Sequence, residues 1–438
     1  MSRRLEAFAL LVASQLTVGV VRAQEPSWSE RLAGAVRSLE TRLEDGSAGL
    51  PKWLDRFRLS GNTDLAFLRG ERHSPAPDGR FKVENARVFL DSGIGEGLHL
   101  GELQLAGEMS LYVEWDAVRE HAFGNRVGSL YLRLDSLFGL DRLNLKVGRV
   151  LVPFGEEYVR LSEQRPENPL ISFSAAAPYG WDRGALVFGT DARTRLHYVA
   201  GVMVGDGDWR VGFHRETQAN GKLAWEPTAW SYVSVSGLHT GQLGARDRVG
   251  AATLELGETQ IRSFGAESDV PNFEHGVRIH DDPEHRMTMN AGEADVIFAA
   301  SDWGRLWFNY GRVAIRSHGS SRYDRDLNYG TAEGILGLGR FFHALDKVYL
   351  AGRYSVIGTF DADQGYLLDA STGGDALGFN TKRVSVFSVG VGYRLTRYLT
   401  LKSEYSWFDF ALVRGVTPAL RAEARGRSYF GFGATIGF

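Results

Sequence analysis

Charged side chains between residues 149 and 183 are the residues in the sequence best placed to act on a solute. They are Arg149, Glu156, Glu157, Arg160, Arg165 and Arg183. Most of them fall in the segment 152–182, and a connection this long usually has a function or is disordered. If the segment folds into a water-filled channel, Arg160 and Arg165 would face anions at a constriction. If it lies on the surface, its charges are only solvated, and both interpretations stay open at this point.

Two residues at the start of this segment favour a turn out of the preceding strand. Pro153 has no backbone N–H and therefore cannot continue a strand ladder. Gly155 can adopt a positive φ angle at no steric cost. We expect the chain to change direction here, toward the inside of whatever structure the strands build.

The elements that must position these residues are strands. From Arg56 onward the hydrophobic period is two, as where Leu143, Leu145 and Val147 alternate with polar residues. Tight turns alternate with longer polar segments along the chain, which is the layout of an outer-membrane β-barrel. Eight turns and nine loops predict 18 strands, with 16 as the alternative, because the strands predicted between 220 and 268 are short and alternate imperfectly.

In such a transmembrane antiparallel β-barrel, the residues opposite the apolar side of each strand would line the lumen. The basic ones are Arg58, Arg133, Arg142, Lys146, Arg195, Arg353, Arg394 and Lys402, and the acidic ones are Asp64, Asp135 and Glu404. Charge at the lipid-facing midplane costs about 2–4 kcal/mol, so an inward orientation is expected. These residues either select ions or brace the wall as pairs, such as Arg133 with Asp135. Their excess of positive charge predicts a net basic lumen, with the acidic residues in the loops.

The N-terminal region predicts export. Residues 1–23 have arginines at positions 3 and 4, a largely apolar run and a small-x-small site at Val21-Arg22-Ala23, which are typical of a signal peptide. The mature chain would begin at Gln24. Residues 24–55 form a periplasmic lead-in with an amphipathic helix over 27–45, which either joins subunits or folds against the periplasmic mouth. The barrel itself would span residues 56–438.

The C-terminal segment closes the barrel in this interpretation. Residues 427–438 alternate Phe430, Phe432, Ala434, Ile436 and Phe438 with mostly small residues, and the last residue is aromatic. A closing strand that ends on an aromatic residue resembles the assembly signal of bacterial outer-membrane proteins. It indicates the bacterial outer membrane as the location.

Composition excludes several classes of protein. Removing residues 1–23, which carry three arginines and one glutamate, changes the net charge from −3 to −5, and a nucleic-acid binder would normally be basic. The absence of cysteine excludes disulfides and thiolate metal sites. No Gly-x-Ser-x-Gly motif indicates a nucleophile. The histidines and carboxylates of 274–286 could bind a divalent cation, but they lack the spacing of a dedicated site, so we predict neither a metal nor a cofactor.

Several short motifs resemble the phosphate-selective porin O/P family. The stretch from Val147 to Glu157 resembles the strand that precedes its third loop. The other similar pieces are two following strands at 182–189 and 198–207, an early strand at 85–90 and the helical lead-in at 27–45. The resemblance implies a diffusion channel, often trimeric, whose third loop folds inward to narrow the pore. Two features depart from the family, namely the count of 18 strands and the acidic mature chain.

The function predicted from these observations is passive diffusion of small hydrophilic solutes across the outer membrane, with a preference for anions or phosphate. The expected partners are outer-membrane lipids, small hydrophilic or anionic solutes and the other subunits of a homotrimer. Three alternatives remain: the barrel conduit of a larger export complex, an outer-membrane lipid hydrolase and a soluble secreted β protein. The protein is not expected to be an enzyme.

We predict that the mature protein begins at Gln24 and is recovered in the outer-membrane fraction. Mass spectrometry of the N-terminal peptide and cell fractionation would measure both properties. Deletion of Phe438 should reduce assembly into the membrane while pulse-labelled synthesis continues at the normal rate. Recovery of the full-length chain as a soluble periplasmic protein would contradict the barrel interpretation.

Overall fold

A computed structural model describes most of the chain from Phe57 to Gly437. The described residues are 57–71, 79–95, 98–100, 103–116, 127–157, 168–176, 181–204, 217–242, 286–300, 303–319, 321, 324–359, 381–415, 417–423 and 427–437. They belong to a compact unit that spans Arg56–Phe438. Several sequence predictions fall outside the described residues: the signal peptide, the lead-in helix, Arg160, Arg165, the possible cation-binding segment up to residue 285 and Phe438.

Most of the described residues are in strands. The strands are β1 (Phe57–Gly70), β2 (Arg80–Gly95), β3 (Leu98–Leu100), β4 (Leu103–Ala106), β5 (Glu108–Asp116), β6 (Val127–Asp135), β7 (Asn144–Leu151), β8 (Trp181–Asp191), β9 (Leu196–Met203), β10 (Gln218–Thr228), β11 (Ser231–His239), β12 (Met287–Ala300), β13 (Gly304–Ser317), β14 (Arg325–Gly337), β15 (Val348–Thr359), β16 (Thr381–Arg394), β17 (Leu399–Leu412) and β18 (Arg427–Gly437). One short helix, α1 (Pro418–Glu423), precedes β18. In this part of the chain no helix is long and apolar enough to cross a membrane.

Sixteen of these strands close into an antiparallel barrel. Each strand pairs with its neighbour in the chain, and β1 pairs with β18 to complete the ring, while β3 and β4 form a small separate hairpin between β2 and β5. The structure therefore confirms the predicted antiparallel barrel and its sixteen-strand alternative.

The count of 18 strands is wrong because β11 pairs directly with β12. Their register runs from Ser231 opposite Phe298 to His239 opposite Asn290. The additional pair among the strands predicted between 220 and 268 therefore has no position between these two strands of the wall. Glu226-Pro227-Thr228 in the sequence predicts a tight turn, but β10 continues to Thr228 and the turn is at Ala229 and Trp230.

The two faces of the wall differ in chemistry. Along β13, Leu306, Phe308 and Tyr310 are exposed on the outer face, while Trp307 and Asn309 between them are buried on the inner face. The same alternation occurs in β15 and β18. Because successive side chains of a strand point to opposite sides, the wall presents apolar and aromatic groups outward, as a lipid-facing barrel requires.

The connections also differ between the two ends of the barrel. At one end, here called the short-turn end, strands such as β8 and β9 or β12 and β13 are separated by a few residues. At the opposite end, here called the long-loop end, β7 and β8 or β15 and β16 are separated by about 20 to 30 residues. This asymmetry matches the predicted distribution of tight turns and long loops.

We predict that cysteines at Val233 and Val296 can be cross-linked in the folded protein. These residues are directly opposite in the β11–β12 register, and opposite Cβ atoms in such pairs are about 4.5–5.5 Å apart. The natural chain contains no cysteine, so a short bifunctional thiol reagent and a gel shift would report the pairing. A cysteine pair at Val233 and Ile436 on distant strands serves as the control and should not react. A wall with two additional strands after β11 would abolish the first cross-link.

Candidate functional site

The connection between β7 and β8 enters the interior of the barrel. Its described parts, residues 152–157 and 168–176, are here called the strap. Most of the strap is buried, including Val152, Phe154, Leu170 and Ser174. Its partners are inward-facing residues of β10, β11, β15 and β17. In the strand order, β15 and β16 lie eight positions around the ring from β7 and β8, so the strap reaches the opposite wall.

Gly155 makes the turn that directs the strap inward. Its φ angle is +65°, in the left-handed region that favours glycine. A Cβ atom at this position would lie 2.6 Å from Oε1 of Glu293 on β12. Both the backbone conformation and the close approach to the wall therefore require glycine here.

The first anchor of the strap is on β10 and β11. The amide of Gly155 donates to Oγ of Ser236 at 3.0 Å, and its carbonyl accepts from Nζ of Lys222 at 2.5 Å. The same Nζ forms an ion pair with Oε1 of Glu156 at 2.6 Å. The hydroxyl of Tyr232 also donates to Glu156. A buried carboxylate needs such partners because an unpaired charge is costly in a low-dielectric interior.

The second anchor is centred on Arg353 of β15. Its Nε donates to Oε2 of Glu333 at 2.9 Å, and its Nη2 donates to the same oxygen at 2.5 Å. The guanidinium also donates to the carbonyl of Ser172 at 2.6 Å and to Oδ1 of Asn168 at 2.8 Å. With a side chain only 1 % exposed, Arg353 thus joins the barrel wall to the strap.

Glu404 of β17 holds the same part of the strap through its backbone. Its Oε2 accepts from the amides of Ile171 at 2.5 Å and Ser172 at 2.9 Å. Its Oε1 accepts from the hydroxyls of Ser172 at 2.5 Å and Tyr429 at 2.9 Å. A carboxylate can accept several hydrogen bonds at once, and here it satisfies strap donors that would otherwise be buried without partners.

Within the strap, Glu157 accepts hydrogen bonds from the backbone amide of Ser174, at 2.6 Å, and from its hydroxyl. Burial raises the pKa of Glu157 above its ordinary value, although the positive charge of Arg353 acts in the opposite direction. Through its hydrogen bonds with Ser174, Glu157 connects the first part of the strap to the second part.

Inward-facing residues at the long-loop end form an apolar cluster together with the strap. Its wall members include Met203, Leu238, Met289, Val313, Ile315, Leu327, Ile357, Val384 and Val386. Val152, Phe154, Ala175 and Ala176 of the strap pack into this cluster. The interior is thus layered, with apolar packing toward the long-loop end and the ionic anchors of the strap closer to the middle.

An open cavity of about 570 Å³ lies toward the short-turn end of the interior. Asn168 and Pro169 of the strap form part of its lining. Its charged lining residues are Arg305, Arg394, Lys402 and Glu226. The hydroxyl of Tyr349, also in the lining, donates to the carbonyl of Pro169 at 3.0 Å.

Several solved structures are similar to this architecture. The outer membrane channel DcaP of Acinetobacter baumannii has a TM-score of 0.54 at 14 % identity, covering 87 % of this chain and 97 % of its own. OprB of Pseudomonas putida has a TM-score of 0.51 at 13 % identity, and the match covers 90 % of this chain and 97 % of OprB. An anion-selective porin from Comamonas acidovorans has a TM-score of 0.51 at 11 % identity, and the match covers 87 % of this chain and 99 % of that porin. The fold is that of the outer-membrane porins. No protein-family model matches the sequence, and neither does any curated protein.

The porin fold brings some of the predicted lumen residues to the inner face. Arg353 and Lys402 are buried there, and Arg394 borders the open cavity. Arg133 forms an ion pair with Asp135 at 2.9 Å, which is the bracing contact considered from the sequence. Lys146 lies over the rings of Tyr131 and Phe188, 4.7 and 5.2 Å from their centroids.

Arg58 is on the inner side of β1 near the short-turn end. It is opposite Asp91 in the register with β2, and Asn62 further along the same face of β1 is buried. Arg58 itself is exposed. It is therefore an accessible basic residue at this end of the porin barrel.

Four predicted site residues are not on the inner face of the barrel. Arg142 and Arg195 are in exposed turns at the short-turn end, before β7 begins and after β8 ends. Arg149 and Arg183 are opposite each other in the β7–β8 register. They alternate with the inward-facing Val150 and Asp182, so the unbroken strand period puts them on the outer side of the wall.

The expected excess of inward positive charge does not hold for the buried residues that the structure describes. Their cations are Arg87, Arg353, Lys402 and Arg427, whereas their anions are Glu114, Glu156, Glu157, Asp182, Glu293, Asp295, Glu333 and Glu404. Strand parity alone could have identified Glu293, Asp295 and Glu333. The strap partners Asn168 and Ser172 carry no signal in the sequence, because their role depends on wall residues more than 160 positions away.

We predict that Gly155→Val displaces the strap and raises the single-channel conductance. The substitution forces a branched residue into left-handed backbone, at roughly 1–2 kcal/mol, and adds a clash with Glu293. Gly415→Val is the matched control, because Gly415 has a φ of +81° with no atom within 4 Å of the added Cβ. Planar-bilayer recordings should show larger and noisier current steps for the first variant only. Equal conductance of both variants and the natural protein would show that the strap does not limit the current.

Proposed function

We propose that this protein is a bacterial outer-membrane porin through which small hydrophilic solutes diffuse passively. The observation that carries the proposal is a closed barrel, apolar on its outer face, whose interior is narrowed by a strap anchored to the opposite wall. A soluble β sandwich would bury its apolar face rather than expose it around a closed ring. The proposed assembly is a homotrimer in the outer membrane, in agreement with the family resemblance of the sequence.

The proposed constriction is the segment 152–182. Its buried ends support an inward path, because Glu156 and Ser172 both contact wall residues of the interior. Arg160 and Arg165 lie between these ends in the sequence, and we propose that they are near the narrowest part of the channel. A charge there acts most strongly on a passing ion, since the cross-section of water that screens it is small.

We further propose a weak preference for anions, with phosphate as one candidate solute. Two of the buried carboxylates near the strap are matched by partners. Glu333 is paired with Arg353 and Arg305, and Glu404 is saturated by strap donors. The open cavity has three basic residues and one acidic residue in its lining. Because Arg305 is paired with Glu333, the support for an anion preference comes from Arg394 and Lys402.

Two other functions predict different measurements. A barrel that serves as the conduit of an export complex needs its partners to open, so the isolated protein would not conduct. An outer-membrane lipid hydrolase would release fatty acid from a lipid ester. Conductance by the purified, detergent-folded protein, together with no ester hydrolysis, would support the porin proposal over both.

We predict that changing Arg160 and Arg165 together to glutamate shifts ion selectivity toward cations. Reversal potentials in a salt gradient measure this shift. The same change at Arg414 and Arg421, both exposed between β17 and β18, is the control and should have a much smaller effect. An equal shift in both variants would place the arginines of 152–182 outside the constriction. No conductance from the natural protein would overturn the porin proposal itself.

A further inference from the structure

Two cations in the open cavity have few polar contacts. The Lys402 side chain is nearly buried, with 5 % of the residue exposed. Its Nζ donates to the carbonyl of Leu170 in the strap at 3.3 Å. The guanidinium of Arg394 lies 5.2 Å from the centroid of the Tyr349 ring. Among the described residues, neither cation has a carboxylate within ion-pair distance, whereas Arg305 in the same lining is paired with Glu333 at 3.1 Å.

The strand register explains why these two cations share one site. Lys402 of β17 is opposite Gly392 of β16, and Arg394 of β16 is opposite Thr400 of β17. The two basic residues are thus diagonal neighbours on the inner face, a separation that long side chains can bridge. Tyr349 of β15 is also opposite Gly392.

Gly392 leaves room for the tyrosine ring on the inner face of β16. A Cβ atom at Gly392 would overlap the ring of Tyr349. The ring can therefore extend across β16, where Arg394 packs against it. The hydroxyl of the same tyrosine is bonded to Pro169, so the strap and the wall together fix this side of the cavity.

Between β12 and β14 the cavity has an apolar side, to which Ile297, Ala299 and Ile335 contribute. Polar lining residues border this side, since Arg305 is opposite Ile335 and Tyr232 is opposite Ile297 in the strand register. A buried ammonium with a single carbonyl partner is unfavourable unless a further acceptor is present. A cavity of about 570 Å³ is within the range of small-molecule sites. The solute that fits both sides has an anionic group and an apolar part.

We propose that this cavity binds small organic carboxylates with an apolar body, the carboxylate between Lys402 and Arg394 and the body against Ile297 and Ile335. This proposal rests on the porin function and names the solute class that the channel retains. Inorganic phosphate would meet the cations but would gain nothing from the apolar side. A neutral solute of the same shape would leave Lys402 without its acceptor.

Benzoate, benzamide and inorganic phosphate are suitable probes of this site. Each would be added to single channels of the natural protein in a planar bilayer, and the concentration that halves the current would be measured. Benzoate should block at a concentration at least about tenfold lower than benzamide, because a hydrogen bond to a charged group is worth about a factor of ten or more. It should also block at a concentration about tenfold lower than phosphate, because only benzoate buries an apolar body. Equal block by all three would overturn the proposal. A protein that does not conduct would instead overturn the porin function.

Substitutions then locate the site. Arg394→Gln and Lys402→Met should each raise the blocking concentration of benzoate about tenfold, and Arg394→Lys should restore part of the loss. Arg397→Gln is the matched control, because Arg397 packs on Tyr398 at 4.5 Å in the adjacent turn and is not part of the cavity lining. Loss of block in Arg397→Gln equal to that in Arg394→Gln would overturn the assignment.

The apolar side is tested separately, in case a charge variant does not fold. Ile335→Thr should weaken block by benzoate while block by acetate, which has almost no apolar body, stays the same. Heat-modifiable mobility on a gel confirms that each variant forms a barrel before it is recorded. Equal weakening for benzoate and acetate would show that the isoleucine does not contact the solute.

Discussion

Every backbone N–H and C=O group in the lipid-exposed part of this protein must find a partner within the protein, because the bilayer interior contains no water. The sixteen strands meet this constraint by closing on themselves, and the pairing of β1 with β18 removes the last open edges. Closure also fixes which face of each strand is inside, since side chains alternate. It therefore decides which charges a solute can meet: Arg394 and Lys402 face the interior, whereas Arg149 and Arg183 do not.

The strap faces the same constraint in a different place. It brings irregular backbone into the interior, where amides and carbonyls again need partners. Side chains of the wall supply them: Glu404 accepts from Ser172, and Ser236 and Ser355 accept from Gly155 and Ala175. Carboxylates serve this purpose well because each accepts several hydrogen bonds. Glu404 and Glu157 satisfy strap donors in this way, whereas Glu114, Glu293 and Asp295 accept from side chains of the wall itself.

Much of the fold could be predicted from local patterns, and the errors arose where distant residues decide the outcome. The alternation of Leu143, Leu145 and Val147 correctly indicated strands with two unlike faces. The same pattern could not show that β11 pairs with β12, because alternation does not specify a partner. For Arg353 the sequence indicated the inner face but not the role, which depends on Ser172, 181 positions away. Arg149 was predicted as a site residue from a motif at the end of its strand, but such a motif does not say which side of the wall a residue faces. The alternation along the strand does, and it puts Arg149 on the outer side.

The arrangement of charges along the interior has a consequence for selectivity. The opposite charges of an ion pair such as Arg353 and Glu333 nearly cancel at a distance. The strap that this pair holds also covers it. Arg394 at the open cavity, by contrast, has no carboxylate partner among the described residues, so under the proposed function its charge is the more exposed to a passing ion. The net charge of the chain, −3, does not say which of its charges face the interior. Under the proposed function, ion preference would depend on which residues the strap leaves accessible.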